Sequence, residues 1–376
     1  MSYLFIHPIL MPDEPTFPTH QTDAGAGRHS STNQRRSSQK DGNLPTQEFP
    51  DLERLTAGLS AVFHQEASSK RKVRVLDRKP NPEGSTFPTE IVTCSLDGRG
   101  SRLRLFVKYG TREFDSLYRH RGDISYEAKV YRKILQPLRI STPTFYGVYR
   151  DEITRVPWLV IEYLEGSRGH WSRNPEAMIS AAIWIGKFHA INEKRLLSPG
   201  LKFLHKYDRT YYMGWARRAN RLFGNLQTRF PWLPTVCEEF GTLLPILLER
   251  ATLTVIHGEY YSPNTLYQDG ICSPVDWQSA AIAAGEVDLA SLTHSRPRQL
   301  VQKCEREYCE SRWPKGAPDD FQEILEAARV YMNLRWLGDP SLMSRLFSPH
   351  GEFIPSDKFK RMIKGLYSAG RRTGLV

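Results

Sequence analysis

The stretch Val255-Ile-His257-Gly-Glu259-Tyr-Tyr-Ser-Pro-Asn264-Thr-Leu-Tyr267 turns at Asp269-Gly270 and returns as Pro274-Val-Asp276-Trp277. An apolar strand delivers His257, a loop carries Glu259 and Asn264 five residues apart, and a hairpin brings Asp276 back to the same end. Phosphoryl transfer needs such a set. One carboxylate orients or deprotonates the acceptor hydroxyl, while an amide oxygen and a second carboxylate hold magnesium against the phosphates. Glu259 suits the first role, and Asn264 and Asp276 suit the second. His257 reads as a structural residue that hydrogen-bonds the loop backbone.

Upstream, the pattern is mostly strands. Val73 and Val75 alternate with basic residues, Glu90–Leu96 is rich in strand formers, and Leu103, Leu105 and Val107 alternate with Arg102, Arg104, Phe106 and Lys108. A helix is expected over Leu52–Gln65 and another where Tyr126, Val130, Tyr131, Ile134 and Leu135 recur between Gly122 and Pro137. The strand Trp158–Ile161 follows. Beyond Gly166 the periodicity becomes helical, over Met178–Ile191, Glu238–Arg250, Phe321–Leu337 and Lys358–Leu366, with the short strands Leu253–Ile256, Thr265–Tyr267 and Ser273–Val275 between them.

The 376 residues, 40% hydrophobic and 25% charged, suit a globular chain with a sizeable core, and no run approaches the ~18 apolar residues of a membrane span. Residues 12–50 are rich in Pro, Ser, Thr, Gln, Asp and Gly with few large apolar side chains, so 1–50 is expected to be a disordered tail. The five scattered cysteines have no metal-ligand spacing and read as reduced thiols of a cytoplasmic protein. The net charge of +11 divides into −1 over 1–50, +6 over 51–169 and +6 over 170–376. Its dispersal, clustered only at Lys70-Arg-Lys72 and Lys358–Arg372, argues against a nucleic-acid or membrane-surface partner.

The central motif resembles that of the aminoglycoside phosphotransferase-like branch of the protein-kinase-like fold: His-Gly-Asp-x-x-x-x-Asn, a hairpin, then Asp-Trp. The likeness continues in Gly285-Glu-Val-Asp288-Leu-Ala, where it implies that Asp288 steadies the loop. It implies that Lys108, on Leu105-Phe-Val-Lys108, grips the nucleotide phosphates and that Glu127, 19 residues on, is its ion-pair partner. Val160-Ile-Glu162-Tyr-Leu164-Glu-Gly166 looks like the hinge whose backbone meets the adenine, which makes Glu162 and Leu164 candidate nucleotide contacts. Ile183–His189 looks like the helix before the catalytic segment. The implied architecture is α+β: a sheet-rich nucleotide-binding lobe over 51–165 and a helical lobe with the acceptor pocket over 166–376. The implied cofactors are ATP and Mg2+.

Three departures stand out. Glu259 occupies the usual Asp position, keeping a carboxylate of similar basicity on a longer arm. No Gly-x-Gly-x-x-Gly loop is present; Gly84 with Ser85 and Thr86 could offer N–H groups and hydroxyls to phosphates, or form an ordinary polar hairpin loop. Phe106 shares the face of Lys108. Taken singly, Lys108 and Glu127 read as solvated surface residues, His189 as a core histidine, and Trp171, Tyr211, Tyr212 and Trp215 as either core or acceptor-pocket aromatics. The joint order favours an ATP- and Mg-dependent phosphotransferase acting on a hydroxyl of a small-molecule acceptor. The rival is a nucleotide-binding pseudokinase serving as scaffold or sensor. Glu259→Gln and Asp276→Asn are expected to leave the fold intact and slow turnover ~100-fold.

Overall fold

Leu55, Leu59, Val62 and Phe63 recur at helical spacing, and they bury one face of α1 (Leu52–Gln65). The computed structural model describes residues 49–65, 72–82, 85–96, 99–165, 167–168, 174–223, 226, 228–343, 345–346 and 353–376. Residues 1–48 of the expected tail, Gly84, Gly166 and Trp171 lie outside the described residues. The described residues fall in one contact unit, Glu48–Val376.

Three antiparallel strands follow, β1 (Val73–Pro80), β2 (Thr89–Leu96) and β3 (Arg99–Tyr109), then α2 (Ile124–Val130), β4 (Phe145–Arg150) and β5 (Pro157–Glu162). They form a five-stranded sheet in the order β1-β2-β3-β5-β4, with Lys108 registered between Thr89 and Leu159. Because side chains alternate along a strand, Leu105 and Val107 pack with Trp158 and Val160 against α1, while Phe106 and Lys108 face the other way. That second face receives α2. Asp123 caps it by accepting from the Tyr126 N–H at 2.8 Å, and a π-helical turn, Tyr131–Leu135, carries it on.

Helices dominate beyond residue 174. After β6 (Ser167–Arg168) come α3 (Pro175–Glu193), β7 (His205–Lys206), α4 (Arg209–Phe223) and α5 (Leu233–Glu239). The strands β8 (Leu253–Ile256), β9 (Thr265–Gln268), β10 (Ile271–Pro274) and β11 (Ala281–Ala284) precede α6 (Glu286–Thr293), α7 (Arg298–Arg312), α8 (Phe321–Leu337), α9 (Pro340–Met343) and α10 (Asp357–Thr373). Two small sheets, β10-β9-β6 and β7-β11-β8, carry the central motif. The helix expected over Glu238–Arg250 is broken instead. α5 ends at Glu239, a 3-10 turn covers Phe240–Leu243, and Pro245 opens a separate turn, Ile246–Arg250, because Gly241 and Pro245 cannot propagate a helix. Among the described residues no helix is long and apolar enough to cross a membrane.

Trp158 joins the sheet to α1. It is 2% exposed, meets Tyr109 and Tyr149 edge-on at 5.1 and 4.9 Å, and lies over Gly58, where a Cβ would come within 2.5 Å of its ring. Trp158→Ala is expected to cost about 3–5 kcal/mol in urea unfolding, because the emptied space cannot collapse around two rings and a helix.

Candidate active site

The loop after β8 starts with a steric constraint. Gly258 has φ +82°, and a Cβ there would sit 2.2 Å from the Ser279 carbonyl oxygen, so only glycine lets the chain pass. The turn exposes two N–H groups to Asp288 on the first turn of α6: His257 donates to Oδ2 at 2.6 Å and Gly258 to Oδ1 at 2.9 Å. The His257 ring ties the loop to the returning strand. Its Nδ1 accepts from the Glu259 N–H at 3.3 Å, which leaves Nε2 to donate to the Val275 carbonyl at 3.0 Å. Burial lowers its pKa, consistent with a neutral ring.

Behind Asp288 runs a buried relay. Arg312 donates to Tyr308 Oη at 2.6 Å, Tyr308 Oη lies 3.0 Å from His189 Nδ1, and His189 Nε2 lies 3.2 Å from Asp288 Oδ2. Burial pushes the His189 pKa down to about 4, so a neutral ring can accept from Tyr308 and donate to Asp288. α3, α6 and α7 therefore hold one loop through a single chain of side chains.

The sheet supplies the second half of the site. Lys108 Nζ lies 2.8 Å from Glu127 Oε2 and 2.7 Å from Asp276 Oδ1, and the Trp277 N–H donates to Glu127 Oε1 at 3.1 Å. Burial works to lower the Lys108 pKa, but Asp276 and Glu127 outweigh it and raise it above the ordinary lysine value. Asp276 adopts φ +66°, ψ +62°, a left-handed conformation costly for a non-glycine residue and common where function demands a set direction. Asn264 donates its Nδ2 to the Glu259 carbonyl at 3.0 Å. Lys108, Glu127 and Asp276 thus meet directly, and Glu259, Asn264, His257 and Asp288 share one bonded loop.

Glu259 is where the structure departs most from its sequence reading. It is 1% exposed, and Oε1 takes Arg335 at 2.6 Å, Arg121 at 3.1 Å and the Tyr261 hydroxyl at 3.1 Å, with His120 Nε2 at 3.7 Å. Oε2 accepts from the Ser279 hydroxyl at 3.1 Å. Burial alone would raise its pKa; Arg335, then His120 and Arg121, overturn that and hold it well below the usual carboxylate range. The ordinary basicity expected from the residue type is therefore corrected by its neighbours.

The remaining candidates are dispersed. Thr86 Oγ1 lies 3.1 Å from Gln278 Nε2 and 3.4 Å from Arg121 Nη1, so its loop is tied beside the Asp276 segment. Ser85 Oγ serves the Phe87 N–H at 3.4 Å, and the buried Phe87 ring lies 5.7 Å from Lys108 Nζ. Glu162 turns its carboxylate and its N–H to Thr144, and Leu164 is half-buried. Tyr212 and Trp215 are core residues. Arg121, His120, Ser279 and Arg335 escaped the sequence reading. Arg335 is one of four charged residues in Phe321–Leu337, with Glu323, Glu326 and Arg329, so nothing in the sequence set it apart.

A model of the phosphotransferase enzyme family matches residues 99–319, more than half of the chain. Among solved structures, a protein from Ralstonia eutropha assigned as an aminoglycoside phosphotransferase superposes with TM-score 0.57 at 15% identity, over 86% of this chain and 98% of its own. Choline kinase from Cryptosporidium parvum gives 0.52 at 13% identity, covering 81% and 91%. Choline kinase from Streptococcus pneumoniae gives 0.52 at 14%, covering 78% and 94%. No curated protein sequence matches significantly. The fold is that of kinase-like phosphotransferases, with an antiparallel five-stranded sheet and a mainly helical remainder.

Two outcomes follow from the buried groups. His120 and His189 both have pKa values pushed down to about 4 from 6.5, so between those limits the unfolded chain binds protons that the folded one does not. Stability should be complete above pH 6.5 and fall as pH drops toward 4, read as a falling thermal midpoint that His120→Gln flattens. A midpoint unchanged from pH 7 to 4.5 would contradict the neutral assignment. Glu259→Gln is expected to cost about 3–5 kcal/mol in urea unfolding, because Arg335 and Arg121 lose their shared carboxylate. That corrects the sequence-based expectation of an intact fold.

Proposed function

Because the chain belongs to the phosphotransferase enzyme family, we propose that it transfers the terminal phosphoryl group of ATP, with Mg2+, to a hydroxyl of a small-molecule acceptor. The observation that carries this reading is the meeting of Lys108, Glu127 and Asp276, residues from opposite ends of the motif order, at hydrogen-bond distance. The donor set suits the cofactors. Among the described residues no cluster of three or more His, Cys, Asp or Glu side chains is fit for a metal ion. An amide and one carboxylate, Asn264 and Asp276, match magnesium, which takes its other ligands from phosphates and water. Asp276 is the accessible member, with its side chain 28% exposed. When bound, Mg-ATP supplies an activated phosphoryl group and neutralises charge that builds on it.

The chain's own residues do the positioning. Glu127 anchors Lys108, whose ammonium is free to face phosphate oxygens if it exchanges its contact with Asp276. The Glu162 carbonyl and the Leu164 N–H would meet the adenine, and Ser85 and Thr86 would lie over the phosphates. His257 and Asp288 keep the loop rigid, so that Glu259 orients the acceptor hydroxyl. A carboxylate held so firmly in its ionised form is a weak base and a good hydrogen-bond acceptor. The positioning role therefore outweighs proton abstraction, as the loose transition state of phosphoryl transfer allows.

A second reading, a nucleotide-binding pseudokinase, draws on one observation: both Glu259 oxygens are already engaged by protein groups. Calorimetry with Mg-ATP followed by transfer assays on an acceptor library separates the two. Turnover that drops ~100-fold in Asp276→Asn supports the enzyme. Tight Mg-ATP binding with no transfer to any acceptor supports the scaffold instead.

A further inference from the structure

Arg335 from α8 and Arg121 from the segment before α2 both direct Nη2 at one oxygen, Glu259 Oε1, so a single carboxylate serves two guanidinium groups. The Nε of each is buried without a hydrogen-bond partner. His120 adds no charge, since burial and then Arg335 push its pKa down to about 4. Tyr261, Tyr331 and Tyr211 also act on Arg335, whose guanidinium carbon lies 5.9 Å from the Trp215 ring centre. Lys358 is a further cation that acts on Arg335, and Arg345, Arg361 and the acidic Asp339 act on Lys358 in turn. The nearby Asp276 shares the Lys108 ammonium with Glu127.

The aromatic surroundings do not offer a berth for a cation either. Tyr118 and Trp215 meet edge-on at 5.7 Å, a geometry that could frame a quaternary ammonium. The chain fills that place itself: the Arg218 guanidinium carbon lies 3.8 Å from the Tyr118 ring centre and 4.0 Å from the Trp215 ring centre. Arg218 Nε is also buried without a hydrogen-bond partner.

We infer that the acceptor is an anion: a hydroxyl-bearing molecule whose carboxylate or phosphate monoester is held by Arg121 and Arg335 while Glu259 orients the hydroxyl. The inference rests on the phosphotransferase reading given above. Guanidinium forks suit both anions because their planar N–H pairs match two oxygens at once. A ligand anion would supply a second acceptor for guanidinium groups that share one carboxylate oxygen, and Glu259 keeps Ser279 as it yields a share of its guanidinium contacts. Arg121, with its side chain 25% exposed, is the accessible side of the pair.

Calorimetry on the full chain without nucleotide tests the idea, using glycerate and glycerol 3-phosphate as anions, glycerol as the neutral reference and choline as the cation. The two anions separate a carboxylate from a phosphate monoester. At least one is expected to bind about tenfold or more tightly than glycerol or choline, the scale of a charge-assisted hydrogen bond. Arg121→Gln should abolish that preference; this partly exposed position is chosen because Arg335→Gln strains a buried pair. Equal or tighter binding of glycerol or choline, binding of none of the four, or an undiminished preference in Arg121→Gln overturns the inference. Mg-ATP is titrated separately: its failure to bind removes the phosphotransferase reading, whereas the anion preference stands or falls by its own titration.

Discussion

Two backbone N–H groups converge on the Asp288 carboxylate, and the geometry of the loop depends on that convergence. A buried carboxylate is costly unless every oxygen is served. Asp288 is served by His257, Gly258 and His189, the last oriented by Tyr308 and Arg312. The glycine at 258 lets the chain come close enough to Ser279 for these bonds to form, since any Cβ would collide there. Once the loop is set, Glu259 and Asn264 have only one direction in which to project. Asp276 is placed against them by the His257 contact to Val275.

The sheet side is built on the same logic with opposite charge. Lys108 is buried between two carboxylates, one from α2 and one from the returning strand, and their attraction outweighs the desolvation that would otherwise drive off its proton. This joint is also the link between the sheet and the central motif, through residues 168 positions apart in the chain. The left-handed backbone of Asp276 shows that the surrounding structure holds this residue in place against its own preference.

The replacement of Asp by Glu at 259 takes its meaning from its neighbours. Its carboxylate meets Arg335 through one oxygen and Ser279 through the other. The result is a cationic surrounding for a loop that the sequence reads as acidic. The overall basic excess thereby acquires a local counterpart at Arg121 and Arg335.

Much of the frame was legible because it rests on short-range periodicity. The spacing of Leu55, Leu59 and Val62 set α1 at Leu52–Gln65, and Phe321–Leu337 emerged as α8 with the same ends, since a helix buries whichever stripe its own residues provide. The order of Lys108, Glu127, Glu259, Asn264 and Asp276 was readable through the family resemblance, since Lys108 and Glu127 taken singly read as surface residues. The break at Gly241 and Pro245 carried its own signal, which apolar periodicity overrode. The sequence by itself, through its motifs and their resemblance to a family, nominated the candidate residues. What only the tertiary structure decided is the state of those residues: the depressed pKa of Glu259 comes from Arg121 and Arg335, 138 and 76 positions away, and Coulomb attraction acts through space, without regard to order along the chain.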